Sequence, residues 1–123
     1  MSNLPNNLIT KCRQKLLDTK AELLNRVREA RMGLNTSEER GGDEGDQTMR
    51  ALAESEVLNM TDRHRKKLME IEIALSRMEC GTYGVCEETE EAIEPERLLA
   101  IPWTRLSIEG AEIRESLKKK YAR

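Results

Sequence analysis

The strongest constraint on the fold is a regular repeat in the middle of the chain. Seven positions step by four and three without a break, and most of them are apolar: Val57, Thr61, His64, Leu68, Ile71, Leu75 and Met78. This spacing places all seven on one side of an α-helix, as in the seam of a coiled coil. The pattern predicts a helix over roughly Gln47 to Met78, about 45 Å long at ~1.5 Å per residue.

A second amphipathic pattern lies nearer the N-terminus. Its apolar residues recur at steps near three and four, with polar interruptions at Thr19 and Arg26: Ile9, Cys12, Leu16, Leu23 and Ala30. We expect a helix from roughly Pro5 to Met32, with Pro5 in its first turn and Gly33 at its end. The next residues, 35–46, are polar, acidic and contain glycine, which is typical of an exposed loop. The two helices are therefore expected to form an antiparallel hairpin, a coiled-coil arm with its tip near residues 35–48.

The helical period stops after residue 80, where glycines and prolines divide the chain into short pieces: Gly81, Gly84, Pro95 and Pro102. Turns and a small hairpin are expected over Thr82–Trp103. A last helix is expected over Thr104–Lys120, with Thr104 as its N-cap. The expected fold class is mainly α, with the arm in residues 1–79 and a small finger-like module and terminal helix in residues 80–123. The apolar candidates for the core of this module are Val85, Ile93, Leu98, Leu99, Ile101, Trp103, Leu106, Ile108 and Ile113.

Composition narrows the functional classes. The net charge is −2, whereas a protein that binds nucleic acid through its phosphates needs a basic face. A protein partner is therefore expected, and binding of nucleic acid through bulk positive charge is not. The sequence has no phosphate-cradling glycine loop and no nucleophile with a plausible base, so it does not indicate an enzyme. No segment approaches the ~20 apolar residues of a membrane span, and three cysteines without a disulfide framework suit a reducing compartment. We expect a cytoplasmic protein.

The stretch from Gly81 to Glu112 has the frame of a four-cysteine zinc finger with a single cysteine left. The spacing C-x2-C-x17-C-x2-C, begun at Cys86, places the other three positions at Thr89, Ser107 and Gly110. A structural zinc needs four thiolate or imidazole ligands in tetrahedral reach, and two hydroxyls and a glycine do not supply them. Cys80 nearby would add only a second thiol. The sequence therefore predicts no metal and no cofactor.

Several motifs in this frame occur together with the predicted hairpin. They are Gly81-x-Tyr83-Gly84-x-Cys86, Ile93, Arg97-Leu98-x-Ala100-x-Pro102, Leu106-x-Ile108 and, at the arm tip, Asp43-x-x-Asp46-x-Thr48. In these features the chain resembles the DksA/TraR family of bacterial RNA polymerase-binding transcription factors. The likeness covers nearly the whole chain, and the family includes zinc-independent members.

The resemblance implies a protein that inserts its arm into the secondary channel of RNA polymerase and changes the stability of promoter complexes. By position, Asp43 and Asp46 would be the tip acids that act near the polymerase active centre. Thr48 stands where the family has alanine, and its larger side chain puts the potency of the tip in doubt. Arg63 would be an arm residue that faces the polymerase. The family likeness also favours a monomer.

The resemblance further implies three basic positions for the alarmone ppGpp, which many family members help to place against the polymerase. Here those positions hold Glu70, Ile101 and Ala111, and none of these side chains can pair with a phosphate by charge. We expect little or no dependence on ppGpp through that site.

The residues at the tip and on the seam also admit simpler interpretations. Asp46 is suited to capping a helix N-terminus, with or without a functional role, and Asp43 can be a solvated charge in an acidic loop. His64 is expected to set the register of the seam rather than to act in catalysis. The alternative function is a coiled-coil adaptor, or a competitor that occupies the channel without regulating transcription.

Overall fold

The computed structural model describes residues 4–38 and 44–121, which form four helices. They are α1 (Asn6–Glu38), α2 (Glu44–Cys80), α3 (Pro95–Ala100) and α4 (Ile108–Tyr121). The described residues contain one isolated antiparallel bridge, between Val85 and Ala92, and no longer strand. The predicted mainly α fold class is confirmed. Among the described helices, none combines the length and apolar character that crossing a bilayer requires.

The two long helices extend further toward the tip than the sequence pattern predicts. α1 continues for five residues beyond Gly33, to Glu38, so the predicted end at Gly33 is wrong. Glycine costs a helix only about 1 kcal/mol relative to alanine, and Gly33 has none of the positive φ values that end a helix. α2 begins at Glu44 rather than near Gln47. Asp43 lies outside the described residues.

By their contacts, the described residues form two compact units. The arm unit consists of residues 19–38 and 44–69, and the core unit consists of residues 4–18 and 70–121. The predicted boundary between residues 79 and 80 falls just before the last residue of α2. The contacts instead group residues 4–18 and 70–79 with the C-terminal module, because the first turns of α1 and the last turns of α2 supply part of its core.

The arm unit is a pair of helices with a narrow apolar contact. Leu23 of α1 is buried, and Val57, Thr61, His64 and Leu68 of α2 are half-buried. The predicted seam therefore faces inward. Other apolar side chains of this unit stay exposed: Leu24, Leu52 and Leu58. Two helices alone bury only one side of each, so most of the arm surface is left in contact with water.

The core unit is centred on side chains from both ends of the sequence. Its eight most buried apolar residues are each at most 2% exposed: Cys12, Leu16, Ile71, Ala74, Tyr83, Cys86, Ile93 and Leu98. Two side chains of α1 donate hydrogen bonds to carbonyls at the C-terminal end of α3. Lys15 Nζ donates to the Leu99 carbonyl at 2.8 Å, and Cys12 Sγ donates to the Leu98 carbonyl at 3.6 Å. These two carbonyls lie at a helix end, where intrahelical partners are lacking.

Several expectations about the C-terminal module are wrong. Residues 95–100 form the short helix α3 instead of turns only. The last helix begins at Ile108, and Thr104 does not cap it: its hydroxyl exchanges hydrogen bonds with the backbone N–H and carbonyl of Leu106, at 3.2 and 3.0 Å. Ser107 takes the capping position, accepting a hydrogen bond from the Gly110 N–H at 3.0 Å.

The later helix start changes which side chains face the core. Ile93 and Leu98 are buried as predicted, whereas Ile108 and Ile113 are exposed. The remaining candidates are half-buried: Val85, Leu99, Ile101, Trp103 and Leu106. A helix begun at Ile108 points Gly110 inward, and Gly110 is buried.

Tyr83, which belongs to the finger motif but is not among the predicted core candidates, is a buried core residue. Its side chain is 2% exposed, and its hydroxyl donates to the Pro102 carbonyl at 2.8 Å. Burial, together with a hydrogen bond to Cys12, raises the pKa of Tyr83, so the phenol stays protonated and remains a donor. The Tyr83 hydroxyl thereby links the start of the finger-like segment to the turn at Pro102, between α3 and α4.

Replacing Tyr83 with phenylalanine is expected to lower the free energy of unfolding by about 1–3 kcal/mol, because the buried Pro102 carbonyl loses its donor. Urea unfolding followed by circular dichroism measures this difference. Tyr121→Phe is the matched control, since Tyr121 is 76% exposed and the same change there should cost less than about 0.5 kcal/mol. Equal effects at the two positions would contradict the structural role of the Tyr83 hydroxyl.

Candidate functional site

Two regions contain the residues singled out by the sequence: the arm and the finger frame. On the arm, Asp46 lies in the first turn of α2, together with Glu44, and is exposed. Negative charge at this end of a helix interacts favourably with the helix dipole. Thr48 is also exposed, and its hydroxyl donates to the Glu44 carbonyl at 3.1 Å. Asp46 and Thr48 therefore present polar groups at the tip end of the arm.

Arg63 lies farther along α2, 17 positions after Asp46, or about 25 Å along the helix axis. It is exposed and lines a shallow depression of the arm unit with Arg26, Glu29, Ala30, Met60 and His64. Asp46 and Arg63 do not form one compact site. They can instead contact two separated places on a partner that covers the arm.

His64 is half-buried on the seam, as its position in the repeat predicts. Its Nε2 is buried and has no hydrogen-bond partner among the described residues. No nucleophile or carboxylate of the described arm is hydrogen-bonded to it, and its position fits a packing role.

The structure brings the four finger positions together within the core unit. Cys86 is 1% exposed, and Ser107 and Thr89 lie close enough to its thiol to influence its pKa. A Cβ atom built on Gly110 would overlap the Cys86 Sγ and would lie 3.3 Å from the Ser107 Oγ. Thr89 Oγ1 also accepts a hydrogen bond from the Glu91 N–H at 3.3 Å. The frame of a metal finger is therefore present, with different side chains inside it.

The environment of Cys86 favours its anionic form. Burial by itself raises the pKa of the thiol, but the side-chain and backbone hydrogen bonds from Ser107 and Thr89 outweigh it and lower the pKa of Cys86 to about 6. These donors stabilise negative charge on the sulfur in the way that a cation would.

The donor set does not fit zinc. One thiol, two hydroxyls and a position without a side chain cannot give the four soft or imidazole ligands of a structural zinc site. The Ser107 hydroxyl already accepts a hydrogen bond from the Gly110 N–H. In the described part of the chain, no cluster of three or more histidine, cysteine, aspartate or glutamate side chains could hold a metal ion.

An ion-pair network, which sequence reasoning missed, surrounds this frame. Arg105 holds Glu70 of α2 through two hydrogen bonds of 2.8 and 3.0 Å, and it contacts Glu87 at 3.4 Å. Arg114 of α4 contacts Glu87 at 3.3 Å and Glu88 at 3.1 Å. The five side chains join four parts of the chain that are up to 44 positions apart, from 70 to 114. No local pattern in the sequence could have indicated these pairings.

The network includes one of the three positions that the resemblance assigns to ppGpp. Glu70 is paired with Arg105, and Ile101 and Ala111 are both half-buried. Glu70, Ile101, Arg105 and Arg114 do line a common depression, but the arginines there are engaged by carboxylates.

Comparisons with known proteins identify the same kind of finger in this part of the chain. The family described as "Prokaryotic dksA/traR C4-type zinc finger" matches residues 81–116. The RNA polymerase-binding transcription factor DksA of Caulobacter vibrioides is 39% identical over 103 residues, which cover 84% of this chain and 72% of that protein. This chain belongs to the DksA/TraR family. The membership predicted from the tip and finger motifs is confirmed.

Two further relatives of this DksA/TraR protein are similar over most of its length. An uncharacterised protein of Aquifex aeolicus is 40% identical over 110 residues, which cover 85% of this chain and 74% of that protein. The solved structure of transcription factor DksA2 from Pseudomonas aeruginosa matches with a TM-score of 0.82 and 33% identity, over 93% of this chain and 88% of that one. The fold and family of this chain are thus those of the DksA proteins, although three of its four finger positions are not cysteine.

Proposed function

We propose that this protein binds RNA polymerase and regulates transcription, as a regulator and not as an enzyme. The observation that carries the proposal is the 39% identity to a DksA protein named for RNA polymerase binding, over 84% of this chain. The matching fold of a second DksA protein supports it. Since RNA polymerase is cytoplasmic in bacteria, we place this protein there too, acting as a monomer.

In the proposed mechanism, the arm enters the secondary channel of the polymerase and brings its tip close to the active centre. The arm unit suits such a role because it is only two helices thick and its outer face is largely polar. Asp46 would act near the catalytic magnesium, where a carboxylate can change the local charge, and Asp43 would act beside it. Thr48 lies two residues further along α2 than Asp46, and Arg63 would contact the channel wall.

The proposal involves no sequence-specific contact with DNA. A net charge of −2 gives little attraction to phosphates. It also involves little contribution from ppGpp, because the three positions in question hold Glu70, Ile101 and Ala111, and the nearby Arg105 is already paired with Glu70. Changes in the stability of promoter complexes would then follow from the arm alone.

We further propose that the finger frame of this protein is stable without metal. The donor chemistry at Cys86, Thr89, Ser107 and Gly110 supports this, as does the Ser107 cap that occupies the frame. Regulation would therefore be insensitive to zinc depletion.

In vitro transcription from a ribosomal RNA promoter with purified bacterial RNA polymerase tests the proposal. We expect the protein to change transcript yield to the same extent with and without a zinc chelator, and with and without ppGpp. Binding to the polymerase is measured in parallel by gel filtration or fluorescence anisotropy. A folded, helical protein that neither binds the polymerase nor changes transcription would contradict the proposed function, whereas loss of activity in chelator alone would contradict only its metal-independence.

A further inference from the structure

Gly110 occupies a position where glycine is required for space and not for backbone conformation. It is the third residue of α4, it is buried, and its φ is not among the positive values found in the described residues. A Cβ atom at this position would overlap the Cys86 Sγ and would lie 3.4 Å from the Glu88 Cβ. The sulfur therefore fills the volume that any other side chain at residue 110 would need.

Gly33 provides a contrast within the same protein. It is also helical, yet a Cβ atom there would have nothing within 4 Å. The two glycines share a backbone conformation and differ in their surroundings. Only at Gly110 does the missing side chain match a neighbouring group.

The surroundings of this contact connect two separate segments. Cys86 precedes the tight turn in which the Glu90 N–H donates to its carbonyl at 2.9 Å, and Gly110 lies in the first turn of α4. Ser107 lies beside both: its hydroxyl accepts from the Gly110 N–H, and its Oγ, like the Cys86 Sγ, lies within 3.4 Å of the position that a Cβ atom of residue 110 would take. In a four-cysteine finger the corresponding two segments are joined by a shared metal ion.

We propose that the Cys86 sulfur and the bare backbone of Gly110 form a size-matched pair that joins the first finger segment to α4 and takes the structural place of the metal. This inference deepens the proposed metal-independence of the finger frame and does not depend on the proposed action on RNA polymerase. It gives the one cysteine of the finger frame a structural role, because its sulfur fills the space beside a glycine, next to the Ser107 cap.

A cycle of substitutions at the two positions tests the pair. In the wild-type background, Gly110→Ala is expected to lower the thermal unfolding midpoint by about 5–10 °C, because the new methyl group overlaps the sulfur. In the Cys86→Ala background the sulfur is gone, so the same change should lower the midpoint by less than about 2 °C or raise it. Circular dichroism at 222 nm during heating gives each midpoint.

Gly33→Ala is the matched control for helix propensity. It should leave the midpoint unchanged or raise it by a few degrees, since alanine favours the helix and nothing obstructs its methyl group. If Gly110→Ala does not fold, the pair still predicts that the double variant folds.

Two outcomes would overturn the proposal. Gly110→Ala could have the same effect with and without the sulfur, including a failure to fold in both backgrounds, or it could stabilise the protein as Gly33→Ala does. Native mass spectrometry of the same samples after incubation with zinc gives an independent readout. Stoichiometric zinc in the wild-type protein would overturn both the pair and the metal-independence. If the protein is metal-free and the effects of Gly110→Ala and Cys86→Ala on the unfolding midpoint simply add, the pair alone would be overturned.

Discussion

Replacing Asp46 with asparagine is expected to remove at least about nine tenths of the effect on transcription while leaving binding to RNA polymerase within about twofold of wild type. The change removes one negative charge and keeps the shape of the side chain. Asp46 is exposed in the first turn of α2, so the substitution leaves the buried core untouched. Because the proposed action depends on charge near the active centre, the effect on transcription should be lost without loss of the arm contacts.

Glu44→Gln is the matched control for Asp46→Asn. Glu44 is exposed in the same helical turn, and its neutralisation makes the same change in net charge. The Glu44 backbone carbonyl, which accepts from Thr48, is unaffected. We expect near-normal regulation by Glu44→Gln. Wild-type regulation by Asp46→Asn would contradict the assignment of Asp46 as the acting tip acid, whereas a wild-type protein that binds the polymerase without changing transcription would favour the adaptor.

Replacing Leu98 with alanine is expected to lower the free energy of unfolding by about 2–5 kcal/mol, since it removes a fully buried side chain and leaves a cavity. Leu98 is 0% exposed and lies in α3, against the Cys12 thiol that donates to its carbonyl. For a protein that is stable by roughly 5–15 kcal/mol, this is a large fraction. Chemical denaturation at fixed temperature measures the loss.

Leu58→Ala makes the same chemical change at a position on α2 that is 68% exposed. We expect it to alter the free energy of unfolding by less than about 0.5 kcal/mol. If Leu98→Ala lowered the free energy of unfolding as little as Leu58→Ala is expected to, the core unit would not depend on α3.

The long helices could be predicted from the sequence because the apolar spacing that indicates a helix recurs many times along the chain. Seven seam positions agree on one helical face, and the structure buries or half-buries all of them. The ends of the helices depend on single residues. Gly33 indicated an end, but its cost of about 1 kcal/mol is too small to stop a helix whose remaining residues favour it.

The sequence predicted which positions make up the finger frame but not the contacts among their side chains. The spacing assigned Cys86, Thr89, Ser107 and Gly110 to one frame, and their residue types predicted a donor set unsuited to zinc. The cap formed by Ser107 and the space filled by Cys86 depend on where α4 begins, and the sequence pattern placed that start four residues too early. A helix start moved by four residues changes which hydroxyl lies at its N-terminus.

The contacts of Tyr83 and Arg105 could not be predicted for a different reason. Tyr83 meets Pro102 at a separation of 19 residues, and Arg105 meets Glu70 at a separation of 35. Neither separation corresponds to a helical or strand period. Such pairs are determined by the path of the backbone through the core unit, which local periodicity does not contain.

The shared core of the two chain ends has a consequence for how the protein is made. Cys12 reaches the carbonyl of Leu98, 86 positions later in the chain, whereas in the arm α1 ends at Glu38 and α2 begins at Glu44. During synthesis the arm can therefore pair locally and early, while Cys12 and Leu16 must wait until α3 has left the ribosome. A truncated chain that stops before α3 would leave these side chains without their native partners, in a form open to aggregation or to capture by a chaperone.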